Sequence, residues 1–288
     1  YLKYKIKYLE LKNLIGSGKG LFTIIENTNL SREQMCTKIK DYINKNKKKQ
    51  PQPQDTYRSN KDKYTPLHRA IEKNLPEEII KLLITDNNKD YQNNDGEAPL
   101  HLAIYYNLSE EIIELLITEK NKDYQDTAGK TPLRFALGLA MKNRLSYKII
   151  ELLITENNKD IQDKHGQTPL HHAIRYNLSY KIIELLITEK NKDIQDNYGE
   201  TPLYLAIEEK LLYSEIIELL ISDNNKDIKN NNGDTPLDLA IRNNLSEEII
   251  ISLITVKNKD YQDRLGETPL HNALKRELSK EIIELLIT

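Results

Sequence analysis

The segment "TPLHHAIRYNLS", from Thr168 to Ser179, places two histidines beside each other and close to a threonine. Adjacent imidazoles such as His171 and His172 suit three roles, because they can bind a metal ion, act as a general base, or form hydrogen bonds within the fold. A metal or catalytic centre requires several such groups to converge on one point. The distribution of related segments along the chain therefore bears on which role applies.

Segments of this kind recur at a nearly constant interval. Seven related heptapeptides are present, and their successive starts lie 33, 33, 37, 33, 34 and 33 residues apart. Self-similarity at this period is the signature of a solenoid, in which each unit buries its apolar face against the next. The repeats start near Thr65, Ala98, Thr131, Thr168, Thr201, Thr235 and Thr268.

Each repeat is predicted to contain two short helices. The Thr168 hydroxyl can cap a first helix, and Pro169 loses no hydrogen bond at the first helical position. Asn177 should end that helix, because asparagine tolerates left-handed backbone geometry, and Ser179 should begin the second. The apolar face comprises Leu170, Ala173 and Ile174 in the first helix and Ile182, Ile183, Leu185 and Leu186 in the second.

The pattern G-x-TPLHxA at residues 166–173, with "IIELL" nine residues later and a period of 33, closely resembles the ankyrin repeat. The resemblance covers residues 57–288 and implies an all-α ankyrin-repeat solenoid of helix–turn–helix repeats joined by hairpin turns. It also implies a non-enzymatic protein that binds protein partners. Two features depart from the family: Asn177-Leu178 stands where Gly-His is usual, and Asn/Lys-rich segments such as "NKDYQ" at residues 121–125 replace Gly-Ala.

The histidines fit this scaffold better than a catalytic or metal centre. The resemblance implies that one imidazole per repeat forms hydrogen bonds between neighbouring turns, at His68, His101, His171 and His271. His172 occupies a packing position that other repeats give to leucine, and His165 should be exposed at a turn. The "GSGKG" segment at residues 16–20 lacks the glycine and the Ser/Thr of a phosphate-binding loop. We predict no catalytic residue, no metal and no cofactor.

Charge is segregated along the chain. The first 50 residues hold 12 Lys and Arg against 4 Asp and Glu, so the remainder of this −2 chain carries −10. We predict a basic helical segment at residues 1–50, a linker at 51–56, and the repeats thereafter. The acidic repeats make nucleic acid an unlikely partner except through the basic arm. The sequence contains no run of about 18 apolar residues, which is the length that a membrane span would need.

The Lys/Tyr-rich leader "YLKYKIKYLELKNLIGSGKG" resembles those of proteins from mimivirus-like giant viruses. That resemblance implies a viral protein that acts on host or viral proteins inside the host cell, in its cytosol. The alternative is a substrate adaptor for a host ubiquitin ligase, whose recruiting motif would lie outside this sequence. The last helix is apolar to its end, so we expect further repeats beyond Thr288. Without them the protein should be a monomer that self-associates weakly through this repeat.

Comparison of the repeats shows which positions vary. The framework is nearly constant, whereas two pairs per repeat change freely: the helix-end pair after Ala-Ile, and the tip pair before the turn glycine. The ankyrin resemblance places these on the concave face and at the hairpin tips, where partners bind. The predicted partner-binding residues are Tyr105, Tyr106, Arg175, Tyr176, Glu208, Glu209, Arg242, Lys275 and Arg276 in helix-end pairs and Lys164, His165, Tyr198 and Arg264 in tip pairs.

Overall fold

The computed structural model describes residues 20–46, 63–210, 214–263 and 265–287, and regular secondary structure in these ranges is helical. The chain divides into two compact units, one ending at Leu139 and the other beginning at Ala140. No helix in the described ranges is long and apolar enough to cross a membrane. The α-helices are α1 Gly20–Glu26 and α2 Arg32–Asn46, then seven pairs: α3 Pro66–Glu72 and α4 Glu77–Leu83, α5 Pro99–Tyr105 and α6 Glu110–Leu116, α7 Pro132–Ala140 and α8 Tyr147–Leu153, α9 Pro169–Arg175 and α10 Tyr180–Leu186, α11 Pro202–Glu208 and α12 Ser214–Leu220, α13 Pro236–Arg242 and α14 Glu247–Leu253, α15 Pro269–Lys275 and α16 Lys280–Ile287.

The ends of the first helices agree with the sequence prediction. Thr65 has extended backbone geometry, and its hydroxyl accepts a hydrogen bond from the His68 amide at 3.3 Å. The helix α9 is followed by Asn177, which has a positive φ of 48°. Asparagine bears this conformation at little cost, so it replaces the usual glycine. The same position has positive φ at Asn74, Asn107, Asn143, Asn177, Lys210, Asn244 and Glu277.

The apolar face of the second helices is narrower than predicted. Ile183 and Leu186 of α10 are fully buried, and Ile182 is 7% exposed. Leu185 is only half-buried, and its equivalents Leu82, Leu115, Leu152 and Leu219 are more than 40% exposed. The reason is geometric: at about 100° per residue, Leu185 lies roughly 100° from the middle of the face that Ile182, Ile183 and Leu186 form. The inclusion of Leu185 in the core was therefore wrong.

Two further predictions need correction. The third repeat is four residues longer than the period, and the extra residues, within residues 138–145, predict roughly one more helical turn. They do not add a full turn, because α7 has nine residues where the other first helices have seven. The remaining residues enlarge the turn that follows. In the last repeat, the expected self-association requires the apolar stripe of Ile282, Ile283, Leu285 and Leu286 to be exposed, but Ile282 and Leu286 are buried. The apolar residues that this repeat does expose most are Leu274, at 57%, and Ile287, at 64%.

Helices α1 and α2 pack against α3 and α4 in the same order as α3 and α4 pack against α5 and α6. Ile25 and Ile39 are fully buried in this contact. The Lys73 ammonium donates to the Ile25 carbonyl at 3.0 Å, and Lys40 pairs with Glu78 at 3.2 Å. Part of the basic segment thus extends the helical stack of the first unit. The predicted linker and the Lys/Tyr-rich leader up to residue 19 lie outside the described residues.

Candidate functional site

Three "TPLH" histidines, His68, His101 and His171, connect their repeats to the next, whereas His271 is exposed and bonds to Thr268. His171 Nδ1 accepts from the Thr168 amide at 3.2 Å, so the proton lies on Nε2, which donates to the Glu200 carbonyl at 3.2 Å. In the first unit His68 reaches the Glu97 carbonyl and His101 the Tyr124 carbonyl, both at 3.1 Å. Burial lowers the pKa of His68, His101 and His171 to about 4 in each case. These imidazoles are therefore neutral structural groups at pH 7.

His172 forms a contact that the sequence analysis did not predict. Its Nε2 lies 2.9 Å from Asp163 Oδ2, both side chains are about 95% buried, and its ring stacks on Tyr176 at 5.9 Å. Burial would raise the pKa of Asp163, but hydrogen bonds from His172 and from the His165 and Gln167 amides lower it overall. Within the described residues, no group of three or more His, Cys, Asp or Glu is arranged to hold a metal ion. The His172–Asp163 contact joins the first helix of the repeat to the hairpin that precedes it.

Replacing His172 with leucine should destabilise the second unit by about 1–3 kcal/mol, because Asp163 Oδ2 would lose its partner inside the protein. Adding Asp163→Asn should recover most of that loss. Other repeats already combine asparagine at the Asp163 position with leucine at the His172 position, as Asn93 with Leu102 and Asn230 with Leu239. Urea denaturation of both variants checks this. Equal stability of the wild type and the single variant would contradict it.

The hairpin tips have an ordered backbone. Asp163 Oδ1 accepts from the His165 amide at 2.8 Å and the Gln167 amide at 3.1 Å. Successive tips are joined by hydrogen bonds, from the Asn197 amide to the His165 carbonyl at 3.0 Å and from the Asn231 amide to the Tyr198 carbonyl at 2.9 Å. Lys164, His165 and Tyr198 are exposed on this framework. Arg264, the remaining predicted tip residue, lies outside the described residues.

The Asn/Lys-rich segments form a second set of connections on the far side of each repeat. Asn191 is fully buried, and its Nδ2 donates to the Leu186 carbonyl at 2.7 Å and to the Lys159 carbonyl of the preceding repeat at 3.3 Å. Thr188 Oγ1 also donates to Asp160 at 2.9 Å. Buried asparagines begin short 3₁₀ helices at Asn121–Asp123, Asn158–Asp160, Asn191–Asp193, Asn225–Asp227 and Asn258–Asp260.

Helix-end residues of the second unit are largely engaged within the protein. Arg175 lies 2.9 Å from Glu200, and Arg242 lies 3.0 Å from Asp234. Burial, followed by the charges of Glu208 and Asp196, raises the pKa of Glu200 to about 7. Lys275 pairs with Glu267, and Tyr176 is half-buried beneath His172. The helix-end residues that remain exposed without such a described contact are Glu208, Glu209 and Arg276.

The helix-end residues of the second repeat, in the first unit, are aromatic and more open. Tyr105 is 63% exposed and Tyr106 is 39% exposed. Their rings meet edge to face at a centroid distance of 5.1 Å, and Tyr105 also contacts Phe135 of α7 at 6.1 Å. The sequence identified both tyrosines as partner-binding candidates but missed Phe135. The sequence indication for Phe135 was that it occupies a position that holds leucine in other repeats.

Framework positions such as Thr168 and His171 are thus buried, whereas several variable positions are exposed. A family model described as "Ankyrin repeats (3 copies)" matches residues 34–128, 137–228 and 210–288. The chain belongs to the ankyrin repeat family. Ankyrin repeats are protein–protein interaction modules, and the family is non-enzymatic. No curated protein matches the chain in a sequence search.

Many chains of solved structures match this chain. One is the crystal structure of the ankyrin repeat domain of Bcl-3, described as a unique member of the IkappaB protein family. It superimposes with a TM-score of 0.55 at 22% identity, over 78% of this ankyrin chain and 98% of the Bcl-3 chain. At this identity the similarity establishes the fold alone.

Proposed function

We propose that this ankyrin repeat protein is a non-enzymatic module that holds a protein partner on its helix-end and tip residues, along the concave face of the solenoid. The observation that carries the proposal is the contrast in exposure within single repeats. Tyr105 and Tyr198 are about 60% exposed, whereas the framework residues Thr168 and His171 are fully buried. Exposed tyrosines favour protein binding, because tyrosine and arginine dominate the energetics of protein interfaces.

The ordered tips support the same proposal. Hydrogen bonds from Asp163 to its own hairpin, and from each tip to the next, fix the backbone beneath Lys164, His165 and Tyr198. A backbone that is already ordered loses less conformational entropy when a partner binds, so more of the contact energy appears as affinity.

The cellular setting belongs to this proposal and rests on the leader alone. The Lys/Tyr-rich segment resembles those of giant-virus proteins, which favours a viral protein that meets host or viral proteins in the host cytosol. The proposed partner is a protein and not nucleic acid, because the charge beyond residue 50 is strongly negative.

The contacts of the variable residues indicate which substitutions can test the proposal without disturbing the fold. Arg175 and Tyr176 have partners inside the protein, so their removal would disturb the fold as well as the surface. Substituting alanine at Tyr105, Tyr106 and Tyr198 should keep stability within about 1 kcal/mol, as exposed positions usually do. The same variant should lose the proteins that wild type captures from cell lysate, measured by quantitative mass spectrometry.

The matched control is Tyr147→Ala, since Tyr147 is 38% exposed but begins a second helix, away from the proposed surface. Control and wild type should capture the same proteins. Unchanged capture by the triple variant, with a normal thermal melt, would place recognition elsewhere in the chain.

A further inference from the structure

The aromatic residues of the first unit form a corner. The rings of Tyr105 and Tyr106 are inclined at 89°, and those of Tyr105 and Phe135 at 88°. In each pair the edge of one ring lies against the face of the other, so the ring surface left for a further contact is the exposed side of Tyr105. The face of an aromatic ring carries negative potential, and a cation within about 6 Å of it is attracted. The exposed side of Tyr105 therefore has the polarity for a positively charged side chain.

Two cations of this protein already lie over aromatic rings, one near the corner and one at its Phe135 ring. The Arg69 guanidinium lies 4.1 Å from the Tyr64 ring centroid, and the Lys130 ammonium lies 5.7 Å from that of Phe135. The Lys130 contact is near the outer limit for attraction. It touches one side of the corner and leaves Tyr105 63% exposed.

Carboxylates beside the corner add negative charge. In the second unit Glu200 faces Arg175 of the preceding repeat, at 2.9 Å. The equivalent positions in the first unit hold Glu97 and Glu72, so the arginine is replaced by a second acid. Arg69 lies within 3.0 Å of both Glu72 and Glu26, and Lys73 lies 3.9 Å from Glu26, whereas the described ion pairs give Glu97 no cationic partner.

Both Glu72 and Glu97 lie close enough to the corner to act on the Tyr106 phenol. Burial, followed by the charge of Glu72, raises the pKa of Tyr106. Burial also raises the pKa of Glu97, although a hydrogen bond from Asn93 lowers it, and Asp95 and Asp126 raise it further. An acidic partner would be repelled here. A purely apolar partner would desolvate Glu97 without supplying a cation, which is costly.

We propose that the corner of Tyr105, Tyr106 and Phe135 binds an arginine side chain from a basic segment of the partner protein, with Glu97 as the neighbouring counter-charge. This inference rests on the proposed function. Arginine suits the corner better than lysine does, because its planar guanidinium stacks on aromatic rings and is weakly hydrated.

The test uses fluorescein-labelled peptides Gly-Ser-Gly-Arg-Ser-Arg-Gly-Ser-Gly, together with versions carrying citrulline or glutamate at both arginine positions. Fluorescence anisotropy with the full chain should show binding of the arginine peptide, and binding about tenfold weaker for the isosteric but neutral citrulline peptide. The Tyr105→Ala/Tyr106→Ala variant should also bind the arginine peptide about tenfold more weakly. Because that variant has the same net charge as wild type, its loss cannot come from general electrostatic attraction.

Two further variants complete the design. Glu97→Gln keeps the side-chain shape and should weaken binding about threefold to tenfold at low salt. Tyr147→Ala removes an exposed tyrosine that lies outside both the corner and the proposed partner-binding surface, and it should bind the arginine peptide as wild type does. Circular dichroism melts verify that each variant is folded.

Equal binding by wild type and the double variant, or a preference for the glutamate peptide, would overturn the inference. If lysate capture still depends on Tyr105 and Tyr106 while the arginine peptide fails to bind, the proposed function stands and only the arginine assignment fails. Peptide binding that needs the corner, with lysate capture that does not, would instead contradict the proposed function.

Discussion

Lowering the pH from 7 to 4 should remove about 2–3 kcal/mol of stability for each of the three buried histidines His68, His101 and His171. Their pKa in the folded protein is about 4, because burial disfavours the charged imidazole, whereas an unfolded histidine titrates near 6.5. A depressed histidine pKa means that the unfolded state binds the proton first. The stabilisation is therefore complete above pH 6.5 and is lost as the pH falls towards 4.

Glu200 acts in the opposite direction over part of this range. Its folded pKa is raised to about 7, so its unfavourable burial is relieved as the pH falls from 7 towards the ordinary glutamate value. The total acid effect thus mixes both signs, and the histidine part must be isolated by comparison. His171→Gln should show a fall in unfolding free energy between pH 7 and 4 that is about 2–3 kcal/mol smaller than that of wild type.

The control is His165→Gln, which removes an exposed histidine from a hairpin tip. It should retain the full acid sensitivity of wild type in urea denaturation series at several pH values. Parallel pH profiles for wild type and His171→Gln would mean that His171 is not held neutral by burial.

Leu186→Ala should cost about 2–5 kcal/mol, whereas Leu185→Ala in the next position should cost about 1 kcal/mol or less. Leu186 is fully buried between neighbouring repeats, so its truncation loses apolar burial and leaves a cavity. Leu185 is half-buried, and water can fill the space that its side chain vacates.

The two variants control for each other, because they make the same chemical change in the same helix. Both are compared with wild type by urea denaturation at pH 7. Equal losses from the two substitutions would contradict the assignment of Leu185 to the outer edge of α10.

The helical framework was predictable because local signals determine it. Threonine before proline favours a helix cap, and the asparagine that follows the first helix in five of the seven repeats indicates a left-handed residue by its type alone. Asn177 and its equivalents have the expected positive φ, and Lys63 adopts it where later repeats have glycine. Such features depend on neighbours in sequence, so one chain suffices to find them.

Other features depend on partners distant in sequence and could not be predicted. Asn191 occurs in a polar segment that is typical of an exposed loop, yet it is fully buried because carbonyls of two repeats satisfy its amide. Asp163 resembles the other tip acids, and only the histidine nine residues later gives it a buried partner. Leu185 fits an apolar pattern that is broader than the face actually covered.

The asparagine connections also bear on how such a chain gains and loses length over generations. Asn191 bonds to residue 159 and Asn225 bonds to residue 192, so each link spans one period and uses the same atoms. Unequal recombination that deletes or duplicates one whole period would rejoin each asparagine to an equivalent carbonyl. The number of repeats can therefore change without leaving a buried amide unpaired. A genome can lengthen or shorten this protein in steps of one repeat.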